Sequence, residues 1–364
     1  MKEKQKTKNG KPGLMPKFMR RRPILVVLFV LMNVAVIAIT AVVEFGNSKE
    51  ADDLSKVVIN WWMLIPALLC FLVAVCLDIY KYAMMMRELA PEQQRNKHKL
   101  RRVASRTVLL GKYYDNITPA AVGGQPFQIY YMRKNSDLPN GLSTSIPIFG
   151  MISLQIGFII IALICFLFGG LAKDNPALVV TAIIGLLFYA FWPVMVAGVS
   201  FFPKPTIRFI KFLVGVLAKI RLVKNREETS EKVEDEVKEY AKSVKTILKT
   251  KWLFLKTILL SIVYNFLVAS IPFFVLTAFG GSVDFIHSFV TTIAVMSAIY
   301  FIPTPGNSGA AEGTFFVVFS ALSSGYVFWA MLVWRFLSYY IYIILGPIIY
   351  FLMHLEKKRD KIDE

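Results

Sequence analysis

The sequence predicts an all-α polytopic membrane protein, and three observations carry that expectation. Hydrophobic residues fill 56% of the 364 positions and mean hydropathy is +0.55, more apolar surface than a water-exposed domain of this length can hide. Those residues fall into runs of roughly 20, the length a helix needs to cross a hydrocarbon layer. The Lys and Arg residues, responsible for a formal net charge of +18, gather between the runs and alternate with uncharged or acidic connections. Topology therefore accounts for the basic balance, and no nucleic-acid partner is expected. Cys70, Cys76 and Cys165 lie inside apolar runs, and His98, His287 and His354 are far apart. Neither a disulfide framework nor a metal site is expected from that spacing, and no cofactor.

Residues 1–22 form a basic tail, punctuated by Gly10, Pro12, Gly13 and Pro16. The run 23–43 has no small-residue cleavage site after it, so it reads as a retained first helix. An acidic connection, 44–59, leads to the run 60–80. The 81–112 loop then brings Lys81, Arg87, Arg95, Lys97, Lys99, Arg101, Arg102, Arg106 and Lys112. Runs 144–168 and 176–200 flank a short connection, and a second long basic loop occupies 203–252. Within it, 226–250 has sparse apolar positions and dense mixed charge, the pattern of a surface helix. The runs 253–279, 284–302 and 326–353 follow, then the tail 354–364. The count is seven to eight transmembrane helices in a single membrane domain, 23–353. The positive-inside rule places both tails and both basic loops in the cytoplasm.

Two stretches do not fit a plain bundle. In 106–133, Pro119, Gly123, Gly124 and Pro126 interrupt a moderately apolar segment that holds Lys112, Asp115, Asn116 and Gln125. Proline removes a donor and clashes with the preceding turn, so no unbroken helix spans it. Because basic residues lie at both ends, the segment is expected to enter and leave on one side as two half-helices. In 299–316, Pro303, Pro305, Gly306 and Gly309 separate two apolar pieces, and Glu312 follows at once. Irregular backbone at bilayer depth is tolerated only where protein buries it or a wet cavity borders it. One such break in each half of a chain points to a transporter's binding site, and half-helix N-termini suit an anionic group.

These residues carry a resemblance. Tyr113-Tyr114-Asp115-Asn116-Ile117-Thr118-Pro119 with Gly123-Gly124-Gln125-Pro126-Phe127 resembles a signature of the flippase-like family named for the lysylphosphatidylglycerol synthase transmembrane region. Pro303-Thr304-Pro305-Gly306-Asn307-Ser308-Gly309 with Glu312 resembles a second signature, and Arg335 with Tyr339-Tyr340 a third. The similarity runs from about residue 20 to 355. It implies a bacterial plasma-membrane protein that moves a phospholipid or aminoacyl-phospholipid between leaflets. Bifunctional relatives carry a soluble aminoacyltransferase domain after the membrane part. This sequence ends at Glu364, so lysyl transfer is not expected of it.

On that implication the lipid headgroup is expected against Arg335, Glu312, Asn116, Gln125, Asp115 and Lys112, beside the Pro and Gly residues of both breaks. Arg335 stands deep in its apolar run, where it would hold a lipid phosphate or pair with Glu312, the alternative being a side chain that snorkels to an interface. Glu312 reads equally as a proton-coupled carboxylate, that counter-ion, or a helix N-terminal charge. Lys112 and Asp115, three apart, form a local pair or bracket a headgroup. Asp78 is expected as an interfacial partner of Lys81, and Tyr113, Tyr114, Tyr130 and Tyr131 as belt residues. No catalytic residue is assigned and nothing resembles a phosphate-binding loop for ATP. Two other classes stay open. One is a membrane enzyme: a phosphatidylglycerol lysyltransferase-related role in lipid modification and cationic-peptide resistance, acting with a separate synthase, or a lipid-linked glycosyltransferase using Asp52-Asp53. The other is a scaffold docking a synthase through 203–252.

Overall fold

The computed structural model describes residues 58–91, 96–118, 123–170, 176–219, 226–300, 302–322 and 326–360. The expected first helix 23–43, Asp52-Asp53, Pro119 and the last four residues lie outside them. Among the described residues the fold is helical throughout, with no strand. The order is α1 (Trp61–Leu89), α2 (Lys97–Ile117), α3 (Gly124–Asn135), α4 (Asn140–Phe168), α5 (Pro176–Phe201), α6 (Pro203–Lys219) and α7 (Arg226–Lys249). There follow α8 (Lys251–Ala278), α9 (Phe285–Ile299), α10 (Ala310–Ser320), α11 (Val327–Arg335) and α12 (Ile341–Asp360).

Among the described residues, five segments are long and apolar enough to cross a membrane: α1, α4, α5, α8, and α11 run through into α12 as one Val327–Glu356 span. The chain is a multi-pass membrane protein. Rows of uncovered apolar side chains, such as Leu68, Leu69 and Leu72 on α1 and Leu187, Phe188 and Phe191 on α5, suit lipid rather than water. Small residues set the helix spacing inside. An added Cβ at Gly185 of α5 would stand 1.9 Å from the Ser297 carbonyl oxygen of α9, and one at Gly157 of α4 would meet the α8 backbone at 2.9 Å. Where lipid competes for apolar faces, such close approach is what drives helices together.

The two interrupted segments are hairpins that enter from opposite ends. α2 starts at Asn96, whose side chain accepts hydrogen bonds from the His98 and Lys99 N–H groups. It runs inward and ends at Ile117, the chain returns as α3 from Gly124, and a Lys99–Asp137 ion pair ties the hairpin's base. Arg106 of α2 also pairs with Glu356, at the far end of the last span. The second hairpin opens at the other end. Asp284 caps α9 through the His287 N–H, and α10 returns toward Tyr326, whose N–H donates to the Phe279 carbonyl at the end of α8. The expected crossing helix 284–302 is therefore shorter: α9 has 15 residues and stops at the break. The Pro303–Pro305 run denies it further donors.

The charge-laced stretch 226–250 is helical as α7, and it docks on α6 through Glu234, which binds both Lys211 and Lys238. Hydrogen bonding to Lys211 is the main reason the Glu234 carboxyl is held down to about 2.

Candidate functional site

The two hairpin tips meet near the middle of the last span. Tyr339 lies twelve residues beyond Val327, about 18 Å along a helix axis. There a single π-turn, Phe336–Tyr340, interrupts the α ladder, and the Tyr339 carbonyl accepts from the Asn116 side-chain amide at 3.2 Å. The second break presses on the same residue: a Cβ at Gly306 would fall 2.0 Å from the Tyr339 ring. Gly306 also has φ +56°, and Gly309 has φ +86°. Both positions need glycine's freedom, which is why the second break is written in glycine.

Arg335 and Glu312 stitch this break shut. Arg335 Nε donates to Glu312 Oε1 at 2.7 Å, and its Nη2 reaches the Gly306 carbonyl at 3.2 Å and Ser308 Oγ at 3.3 Å. The guanidinium lies 4.4 Å from the Tyr339 ring centroid. Glu312 Oε2 accepts from the Gly309 N–H at 2.7 Å, closing the first turn of α10. Arg335 is 5% exposed and Glu312 1%, so the arginine does not reach out to an interface. Of the sequence expectations, the pair and the N-terminal helix charge are thus both present, in one carboxylate.

The first break is built differently. Thr118 Oγ1 bonds back to the Tyr114 carbonyl and accepts from the Gly123 N–H, while Asp115 Oδ1 accepts from the Gly124 N–H at 3.0 Å. A Cβ at Gly124 would fall on the Asp115 carboxylate, 2.1 Å away. Lys112 and Asp115 make no contact ion pair with each other among the described residues. Lys112 instead lies 5.5 Å from the Tyr264 ring of α8 and faces Asp78. Lys112, Asp115, Asn116 and Gln125 keep partial accessibility, unlike Arg335 and Glu312. Around both breaks, Gln125 Oε1, Thr304 Oγ1, Ser338 Oγ and Tyr340 OH are buried without a hydrogen-bond partner. Buried polar atoms are ordinarily satisfied, so these four leave hydrogen-bonding capacity unused around the breaks.

Sequence reasoning missed the neighbouring layer. The expected Asp78–Lys81 pair is present at 2.9 Å, but it lies buried inside the bundle, with the two residues 4% and 1% exposed. Lys81 Nζ also reaches the Gly150 carbonyl at 3.3 Å and Ser261 Oγ at 3.4 Å, and Ser261 bonds Ser153. The signal was available as Ser153, Ser261 and Asn265 embedded in apolar runs. The tyrosines also divide otherwise than a belt. Tyr114 and Tyr131 are buried around Phe127, Tyr114 OH bonds Tyr350 OH at 2.7 Å, and only Tyr130 of the set is well exposed.

A family model described as Lysylphosphatidylglycerol synthase TM region matches residues 24–346. No curated protein and no solved structure matches the chain.

Proposed function

The chain belongs to the lysylphosphatidylglycerol synthase TM region family, and from that premise we propose that it moves a phospholipid or aminoacyl-phospholipid across the bilayer. The observation that carries this reading is the meeting of two oppositely directed hairpins beside Lys112 and Asp115, charged groups that stay partly accessible. Charge so deep in a helical bundle is costly unless it is paired, hydrated or engaged by a substrate. A headgroup fits both signs, with phosphate against Lys112 and an ammonium against Asp115. Gln125, Thr304 and Ser338 offer the remaining polar positions. Acyl chains stay outside, in lipid. Arg335 and Glu312 hold the second break in shape beneath this site.

In the proposed topology the basic loops and both tails face the cytoplasm. The first hairpin then opens to the inner leaflet and the second to the outer, so each break serves one side. The α6–α7 unit would be the docking surface for a separate synthase. ATP is not the direct energy source in this reading; a lipid gradient, the membrane potential or a proton supplies it.

The test is headgroup accessibility in proteoliposomes holding phosphatidylglycerol, lysylphosphatidylglycerol or phosphatidylcholine, with the parent and Lys112→Gln. Translocation should prefer one headgroup class and fall at least about tenfold in the variant, the equivalent of losing one charge-assisted hydrogen bond. Equal rates for every lipid and both proteins would discard the reading. Formation of aminoacyl-lipid by the purified protein alone would replace it with an enzymatic one.

A further inference from the structure

Away from the central site, α2 and α12 part at the end of the molecule where the first hairpin opens. A cavity of about 380 Å³ lies between them, lined by Ser105, Arg106 and Glu356 and, on its apolar walls, Leu109, Ile349 and Leu352. Arg106 is 18% exposed there and joined to Glu356 at 2.6 Å. Arg102, exposed on the preceding turn, also faces that carboxylate, so a single acid serves two arginines. Phe351, Leu352 and Leu355 continue outward from the cavity as uncovered apolar surface.

We propose that this groove holds the phosphoglycerol part of an anionic phospholipid, with Arg106 as the phosphate ligand and Glu356 as an internal competitor. The chemistry fits at each level. The cavity is at the small end of ligand-pocket sizes, enough for a headgroup but not for two acyl chains. The chains would lie on the Phe351 and Leu355 face, already apolar and open. Arginine presents a planar fork that suits phosphate. The Ser105 hydroxyl donates to the Arg102 carbonyl at 3.0 Å and would join the phosphate only by turning away from it. When phosphate takes the guanidinium, Glu356 is released toward the solvent it already meets at 45% exposure. The ion pair therefore keeps Arg106 aimed into the groove in the absence of lipid, and yields to a ligand of the same charge. On the translocation reading, this is where lipid from the inner leaflet waits before reaching Lys112. The inference rests on that reading only for its place in the path.

The experiment is photo-labelling of the full chain in phosphatidylcholine vesicles holding a trace of diazirine-bearing phosphatidylglycerol or phosphatidylcholine. Labelled peptides are identified by mass spectrometry. The phosphatidylglycerol probe should label the peptides around Leu109 and Ile349–Leu355 about fivefold more than the phosphatidylcholine probe, a gain suited to one partly solvated charge contact. Arg106→Gln should remove that preference, and Glu356→Gln should increase labelling by freeing Arg106. If Arg106→Gln does not fold, Glu356→Gln decides alone, and unchanged or weaker labelling overturns the proposal. Equal labelling by both probes also overturns it. Loss of labelling in inorganic phosphate would mean that the groove takes a free anion, against the proposal. Preferential labelling without any translocation would leave the groove standing and remove the transport function. Translocation with indiscriminate labelling would do the reverse.

Discussion

Replacing Glu312 by alanine removes two restraints at once: the counter-ion of Arg335 and the acceptor for the Gly309 N–H. The Nε–Oε1 contact is 2.7 Å, which puts the charge centres near 4 Å apart and their attraction at about 4 kcal/mol for an effective dielectric of 20. Desolvation offsets much of that in the intact pair, but the variant leaves a guanidinium that is 5% exposed with no opposite charge. Breaking a buried pair from one side costs about 3–5 kcal/mol, and the lost helix cap about 1 kcal/mol more. Glu312→Gln keeps the cap and should cost less than alanine. Arg335→Met combined with Glu312→Gln should recover most of the loss, because no unpaired charge remains. The assay is reversible unfolding of the purified protein in mixed micelles, run as a double-mutant cycle on Glu312→Gln and Arg335→Met. A coupling energy of about 2 kcal/mol or more supports the reasoning. Additive losses, with coupling below about 0.5 kcal/mol, would show that the pair does not hold the break and would refute it.

Gly306→Ala should lower the melting temperature and the translocation rate together, costing about 1–3 kcal/mol through backbone strain and collision with Tyr339, while Gly313→Ala, with open space around it, should be neutral or slightly stabilising. Gly185→Ala meets the Ser297 backbone rather than a flexible side chain, so α5 and α9 must separate; cysteine crosslinking between them should weaken in that variant. Glu234 titrates lower in the folded protein than its ordinary 4.5, so its contribution to α7 docking is complete above that value and fades as pH falls toward about 2. Amide exchange in α7 should accelerate over that window, and Glu234→Gln should show fast exchange already at neutral pH.

Much of this architecture was legible in the sequence because the bilayer imposes a length and polarity on every span. The runs 60–80, 144–168, 176–200, 253–279 and 326–353 each reappear as long helices, and the first two are extended by several residues, to Trp61–Leu89 and Asn140–Phe168, where polar ends leave the apolar layer. The breaks were legible too, since proline and glycine advertise lost backbone hydrogen bonds. What periodicity does not convey is which charges face one another. Lys112 and Asp115 share a helix face in sequence, yet each turns to a different partner, a tyrosine ring on α8 and the Gly124 N–H. Asp78 and Lys81 looked interfacial because they end an apolar run, but α4 and α8 rise beside them and bury both. Such burial depends on helices far off in the chain.

That remoteness has a consequence for how the protein is made. Three of the bonds that seat the first hairpin join Asn116 to Tyr339, Tyr114 to Tyr350 and Arg106 to Glu356, pairs 223, 236 and 250 residues apart. At roughly 5–20 residues per second, the ribosome needs about 10–50 s to supply the missing partners after the hairpin emerges. During that interval α2 carries Arg106, Tyr114 and Asn116 without their distant partners, and Lys112 waits for Tyr264 of α8. The hairpin should therefore linger at the membrane surface or with an insertion chaperone, and lock into place only as the final helix is threaded. A nascent chain arrested before Val327 should leave it open to protease.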